Sequence, residues 1–202
     1  PDQRASIRSC CSGQSSTLPS RPCRRRPSQW RPGGSFDAST LEPYIAAPHS
    51  PANAHGVSRY VGTHVDVAYI GACTGAKLED LRMAARVLKG RKSALRLLVA
   101  PASLRDQNAA RDEGTLQILL DAGAELLPNA CGICAGYGEH LLPENMVAIS
   151  STARNFKGRM GAASSQVYLA SPYTVAASAV AGCICDPRGL LQQPHQRQCR
   201  DA

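Results

Sequence analysis

Val65-Asp66-Val67-Ala68-Tyr69-Ile70-Gly71-Ala72-Cys73-Thr74-Gly75 is the stretch on which the fold turns. Its first six residues form a mostly apolar run that reads as a strand, and Cys73 falls in the glycine-bounded turn that follows. From Lys77 to Lys89, apolar residues recur at 78, 81, 84, 85 and 88, the spacing of one helical face. Glu79 and Asp80 occupy the first turn of that helix and Gly90 follows its end, as helix polarity and capping prefer. A strand feeding a helix through a short turn is the first step of an alternating α/β chain.

The alternation continues outward. Leu95 to Ala100 is an apolar run broken only by Arg96, suited to a buried parallel strand. Ser103 predicts the cap of a helix reaching about Ala122, with Gly114 as its weak point. Ala124 to Leu127 reads as a short strand ending at Pro128, and Met146 to Ile149 and Val167 to Ala170 read as two more. Ser171-Pro172 then opens a helix that ends near Gly182, with Ser at the cap and Pro at the first helical position. The pattern predicts an α/β domain with a mainly parallel sheet flanked by helices, spanning residues 36–188. In such sheets, sites gather at the carboxyl ends of strands, where Cys73 and Cys131 both fall.

Residues 1–35 are rich in Arg, Ser and Pro, lack apolar periodicity and predict a disordered tail; residues 189–202 predict a C-terminal one. An organellar transit peptide, a cloning scar and a misjoined gene product are further readings of the leading segment. The net charge of +8 invites a nucleic-acid partner, but residues 1–35 hold seven arginines against one acid. Residues 36–185 carry 13 basic and 12 acidic groups, so the folded part is nearly neutral. Attraction to RNA or to a membrane surface would belong to the leading tail alone. No apolar stretch approaches the roughly 18 residues of a membrane-spanning helix. Nine cysteines, an odd number, do not make one disulfide framework. They fit reduced thiols in a reducing compartment: the cytoplasm, or an organellar matrix if the leader is a transit peptide.

Cys131 and Cys134 form a Cys-x-x-Cys in Asn129-Ala130-Cys131-Gly132-Ile133-Cys134-Ala135-Gly136. Together with Cys73 they supply three thiolates, which suit an iron–sulfur cluster that keeps one iron free of protein ligands. A dithiol redox pair, a zinc site lacking an evident fourth ligand, and purely structural thiols remain open on spacing alone. Cys183 and Cys185 read as packing or solvent-facing thiols. About twenty residues after the Cys-x-x-Cys, Arg154 and Arg159 flank Gly158; guanidinium forks of this kind pair with carboxylates, although solvated charges have the same spacing. His140 and Glu144 stand four apart, but Pro143 between them argues for a loop.

Taken in order, several segments resemble the aconitase superfamily. They are Leu41-Glu42-Pro43 with Pro48-His49-Ser50-Pro51, then Ile70-Gly71-Ala72-Cys73-Thr74 and Cys131-Gly132-Ile133-Cys134-Ala135-Gly136. Arg154-Asn155-Phe156-Lys157-Gly158-Arg159-Met160-Gly161 and Leu169-Ala170-Ser171-Pro172 complete the set. The resemblance covers about Leu41 to Arg188 and is strongest to the large subunits of 3-isopropylmalate dehydratase and homoaconitase-like relatives. It implies that Cys73, Cys131 and Cys134 hold a [4Fe–4S] cluster and that Arg154 and Arg159 bind a di- or tricarboxylic acid. It further implies a hydro-lyase that moves a hydroxyl between adjacent carbons of a malate-type acid. Ala153 stands where many aconitases have Asn, so one polar substrate contact is missing. Only the third, cluster-carrying domain of such a large subunit is matched, with no catalytic acid or base to map. The resemblance therefore implies further large-subunit domains and a small swivelling subunit as partners, and no turnover by the isolated chain.

Overall fold

The computed structural model describes residues 37–192. The expectations placed on residues 1–35 and on the tail after residue 192 lie outside the described residues, as do Cys10, Cys11, Cys23 and Cys199. The chain divides at Ala38, and the α/β unit runs from Ser39 onward.

Two short strands come first, β1 (Tyr44–Ala46) and β2 (Ala54–Gly56), paired antiparallel. β3 (Val67–Gly71) runs into a single helical turn, α1 (Ala72–Gly75), and then into α2 (Leu78–Leu88). β4 (Arg96–Ala100), α3 (Leu104–Asp112), α4 (Thr115–Asp121) and β5 (Ala124–Leu126) follow. The chain then crosses to β6 (Val147–Ser150) and β7 (Gln166–Leu169), and closes with α5 (Pro172–Ala181) and α6 (Arg188–Gln192). The seven strands lie in the order β2-β1-β7-β6-β3-β4-β5. β7, β6, β3, β4 and β5 are mutually parallel, and β1 joins them antiparallel to β7.

The α/β class and the mainly parallel sheet agree with the sequence. The helix expected from Ser103 to about Ala122 is two helices instead. Gly114 sits between them at φ 83°, a left-handed conformation that side chains resist, and it ends α3 and starts α4. Ser103 does cap α3, its Oγ accepting the Asp106 N–H at 3.1 Å. Ser171 caps α5 in the same way, accepting from the Thr174 N–H at 3.3 Å. Residues 189–192 belong to α6.

Alternation along the strands divides the core in two. Ala68, Ile70, Leu97, Val99, Ile149 and Tyr168 face one side, where Leu81, Ala85, Leu88, Ala110, Leu116, Leu119 and Val175 of the helices cover them. Each large side chain fully buried here contributes about 1.5–3 kcal/mol relative to exposure. Val67, Tyr69, Leu98, Ala100, Ala148 and Val167 face the other side. There the cover comes from loops: Ile133, Cys134, Leu142 and Met160 complete that second cluster. Helices thus anchor one face of the sheet, and the cysteine- and arginine-bearing loops lie on the other.

A surface pair ties α2 to the α3–α4 junction. Arg82 grips Glu113 through two donors, Nη2 to Oε2 at 2.6 Å and Nε to Oε1 at 2.9 Å. Hydrogen bonds from Arg82 first, and from Thr115 next, hold the Glu113 carboxyl down to about 2 from the ordinary 4.5. A depressed carboxyl stabilises the fold above its unfolded-state pKa, and that contribution disappears as pH falls through the folded-state value. Replacing Arg82 by Gln is therefore expected to lower Tm near neutral pH. The gap between wild type and Arg82→Gln should shrink steadily in thermal melts taken from pH 4.5 down toward 2. Because both groups are substantially solvated, the whole effect should be small and salt-sensitive.

Candidate metal centre

β3 is the strand where the connections reverse: β4 and β5 extend the sheet on one side of it, β6 and β7 on the other. Crevices at such reversals, beyond the carboxyl ends of the strands, are where open α/β sheets place their sites. Cys73 follows β3, Cys131 and Cys134 follow β5, and Arg154 and Arg159 follow β6. All five residues singled out from the sequence thus leave the same edge of the sheet.

The β3 turn is fixed by one hydroxyl. Ser151, the first residue after β6, accepts the Gly71 N–H at 3.1 Å and donates to the Gly75 carbonyl at 2.7 Å. Its own N–H donates to the Tyr69 carbonyl at 3.0 Å. The turn carrying Cys73 is therefore clamped at both ends. Gly75 is needed for this contact, because a Cβ there would lie 2.0 Å from the Ser151 carbonyl oxygen. Gly71 is extended, so space rather than dihedral freedom explains it: a Cβ would fall 2.0 Å from Cζ of Tyr69.

The Cys-x-x-Cys occupies a one-turn 3-10 segment, Gly132–Ala135, entered from Cys131 and closed by Gly136 at φ 79°. Asn129 ties its approach to β4 by donating to the Pro101 carbonyl at 3.1 Å. Gly136 packs against the arginine loop, since a Cβ there would stand 3.0 Å from the Arg159 carbonyl oxygen. Gly161 approaches still closer to the backbone of Leu142, whose N–H donates to the Met160 carbonyl at 2.9 Å. Asn155, 1% exposed, anchors the start of the arginine loop; its Nδ2 donates to the carbonyls of Ala47 at 2.7 Å and Val167 at 3.0 Å.

These contacts bring Cys134 together with its counterparts. Burial pushes the Cys134 thiol up, a hydrogen bond and the charge of Arg159 pull it down, and the sulfurs of Cys131 and Cys73 push it up again. Cys134 is buried while Cys73 and Cys131 are exposed, which gives the site one inner and two outer thiols. Arg159 is half-buried on a loop packed against Gly136, whereas Arg154 stands exposed at the head of that loop. Cys73, Cys131 and Cys134 are all free thiols. Cys183 and Cys185 lie beyond α5, Cys185 packed against the helix-side core and its N–H donating to Ser178 at 3.1 Å.

The three thiols do not close on one ion. Among the described residues no group of three His, Cys, Asp or Glu side chains is arranged to hold a single metal ion. The donor set does suit a larger, sulfur-rich anionic group. A cavity of about 550 Å³ opens beside Cys131, walled by Tyr69, Leu127, Ile133 and Tyr137. Two buried donors, the Tyr69 hydroxyl and Arg159 Nε, have no hydrogen-bond partner among the described residues.

Sequence reasoning missed Tyr69, Ser151 and the role of His140. Strand alternation holds the only clue to Tyr69, placing it on the same face as Gly71. His140 does lie in a loop; its Nδ1 accepts from Arg96 Nη2 at 2.9 Å, which leaves the proton on Nε2, 3.5 Å from Glu125. That contact braces the cavity rim on β4 and β5.

Comparison with known proteins places the chain. The family described as Aconitase family (aconitate hydratase) matches residues 57–182. The chain belongs to the aconitase family. It is 46% identical over 158 residues to the 3-isopropylmalate dehydratase large subunit 2 of Archaeoglobus fulgidus, covering 77% of this chain and 38% of that protein. It is 48% identical over 155 residues to the probable methanogen homoaconitase large subunit of Methanosarcina mazei, covering 77% and 39%. The homoaconitase large subunit of Thermus thermophilus is 45% identical over 160 residues, with 78% and 38% covered. The chain spans about two fifths of the length of these relatives.

The Ser151 clamp generates a direct test. Ser151→Ala strands the Gly71 N–H and the Gly75 carbonyl together, and should cost about 1–3 kcal/mol in urea unfolding. Ser151→Thr, which keeps the hydroxyl, is expected to recover part of that loss.

Proposed function

We propose that the chain is the cluster-bearing part of an iron–sulfur hydro-lyase that dehydrates and rehydrates a malate-type acid. Acids such as 3-isopropylmalate, as in leucine biosynthesis, or a homocitrate-like relative fit this reading. The observation that carries it is the convergence of the cysteine-bearing turns: Cys73 follows β3, Cys131 and Cys134 follow β5, and Ala72, Ile133 and Cys134 pack in one cluster. A redox or zinc module built on the Cys-x-x-Cys alone would have no use for Cys73 at that place.

In this reading Cys73, Cys131 and Cys134 hold a [4Fe–4S] cluster with one iron free of protein ligands. Such a cluster, when bound, supplies a Lewis acid at that iron. The chain's own residues do the rest of the local work. Ser151 fixes the Cys73 turn, and Gly136 and Gly161 press the two loops together at backbone distance. Arg159 offsets the negative charge of the buried thiolate and, with five donors, keeps others for a substrate carboxylate. Arg154, exposed at the loop head, is free to take a second carboxylate through a bidentate fork. The apolar walls at Leu127 and Ile133 exclude water on one side. The proton-transferring groups, and the swivelling small subunit that closes over the substrate, would come from the remainder of the enzyme.

Anaerobic reconstitution of the full chain with iron and sulfide tests the reading. About four irons per chain are expected, with loss in each of Cys73→Ser, Cys131→Ser and Cys134→Ser. Full loading of the Cys73→Ser variant, with loss confined to the other two, would favour a Cys131–Cys134 module instead. With the cluster in place, Arg159→Lys should weaken dicarboxylate binding about ten- to a hundredfold by calorimetric titration.

A further inference from the structure

Tyr69 is an anomaly in a strand otherwise made of aliphatic residues and glycine. It is 1% exposed, and its hydroxyl is buried without a hydrogen-bond partner among the described residues. A buried hydroxyl left in that state carries a desolvation penalty that Phe would avoid at the same place. The surroundings show what the hydroxyl is aimed at. Tyr69 faces the loop side of the sheet in one apolar cluster with Ala72, Ile133 and Cys134. A Cβ on Gly71 would fall 2.3 Å from the Tyr69 hydroxyl oxygen, so that oxygen lies directly over the residue two before Cys73. The ring also walls the cavity that Cys131 opens onto. The hydroxyl therefore lies over the turn that leads to Cys73, on the face of the sheet that also carries Cys134 and the cavity beside Cys131.

We infer that Tyr69 is a positioning and tuning residue for the sulfur group at this site, its phenolic O–H donating a hydrogen bond to a sulfur held by Cys73, Cys131 and Cys134. The inference rests on the cluster reading and adds to it a residue outside the ligand and carboxylate-binding sets. The phenol is suited to the task. A phenol keeps its proton across the physiological range, so it remains a donor. Sulfur is a weak acceptor when neutral and a better one when it carries cluster charge, so the bond strengthens in the reduced state. Hydrogen bonds to cluster sulfurs are one of the levers that set reduction potential. The hydroxyl would therefore make the cluster easier to reduce.

The test compares wild type with Tyr69→Phe in the full chain, with and without reconstituted cluster. The Phe variant should load the same iron, and its reduction potential, read by EPR-monitored titration, should shift to more negative values. Without cluster, Tyr69→Phe should melt no lower than wild type, because it removes an unpartnered hydroxyl and nothing else. An unchanged potential at equal iron content would overturn the role of Tyr69 while leaving the cluster reading intact. A clearly destabilised metal-free Phe variant would overturn it too, since the hydroxyl would then have a partner in the protein itself. A wild-type chain that takes up no iron would overturn the cluster reading and this role with it.

Discussion

The seam between β3 and β6 is the constraint on which the rest of the structure depends. At that seam the sheet reverses its order, and one side chain, Ser151, bonds to both ends of the Cys73 turn. Because β3 and β6 are neighbours in space but about eighty residues apart in sequence, nothing local can set this geometry. The long-range pairing must form first, and the parallel strands, buried on both faces, supply the energy for it. The thiol-bearing turn is thus positioned by rigid elements rather than by a loop's own preferences. A site proposed to hold three sulfurs at fixed separation would need that support.

The two faces of the sheet divide the labour. The helix-covered face is dense in Leu, Val and Ala and carries no chemistry. The loop-covered face includes Cys134 and Tyr69 in its packed core, so reactive groups share the same close packing as Met160 and Leu142. Glycines make that possible. At Gly75, Gly136 and Gly161 neighbouring backbones approach to distances that a Cβ would forbid. Two loops from distant parts of the chain therefore form one surface, with Gly136 of the Cys-x-x-Cys loop set against the Arg159 backbone.

Much of this architecture is visible in the sequence, and the misses have physical reasons. Apolar runs at 97–100 and 146–149 mark buried strands, and Ser103 and Ser171 announce their helices by cap chemistry. Gly114 was recognisable as a weak point, but propensity alone does not tell a tolerated glycine from one held at positive φ. The strands Tyr44–Ala46 and Ala54–Gly56 are three residues each, too short to show alternation. A run that is apolar throughout also cannot say which face helices cover. Among site residues, the thiols and arginines stand out by residue type and spacing. Tyr69 and Ser151 do not, because their significance lies in contacts made across the sheet.

The central claim is that Cys73, Cys131 and Cys134 act as one site from which Cys183 and Cys185 are excluded. Differential alkylation of the full chain, mapped by mass spectrometry before and after anaerobic loading with iron and sulfide, tests it most directly. The account predicts that Cys73, Cys131 and Cys134 become protected together, while labelling of Cys183 and Cys185 is unchanged. Protection of Cys131 and Cys134 with Cys73 still fully labelled would contradict it.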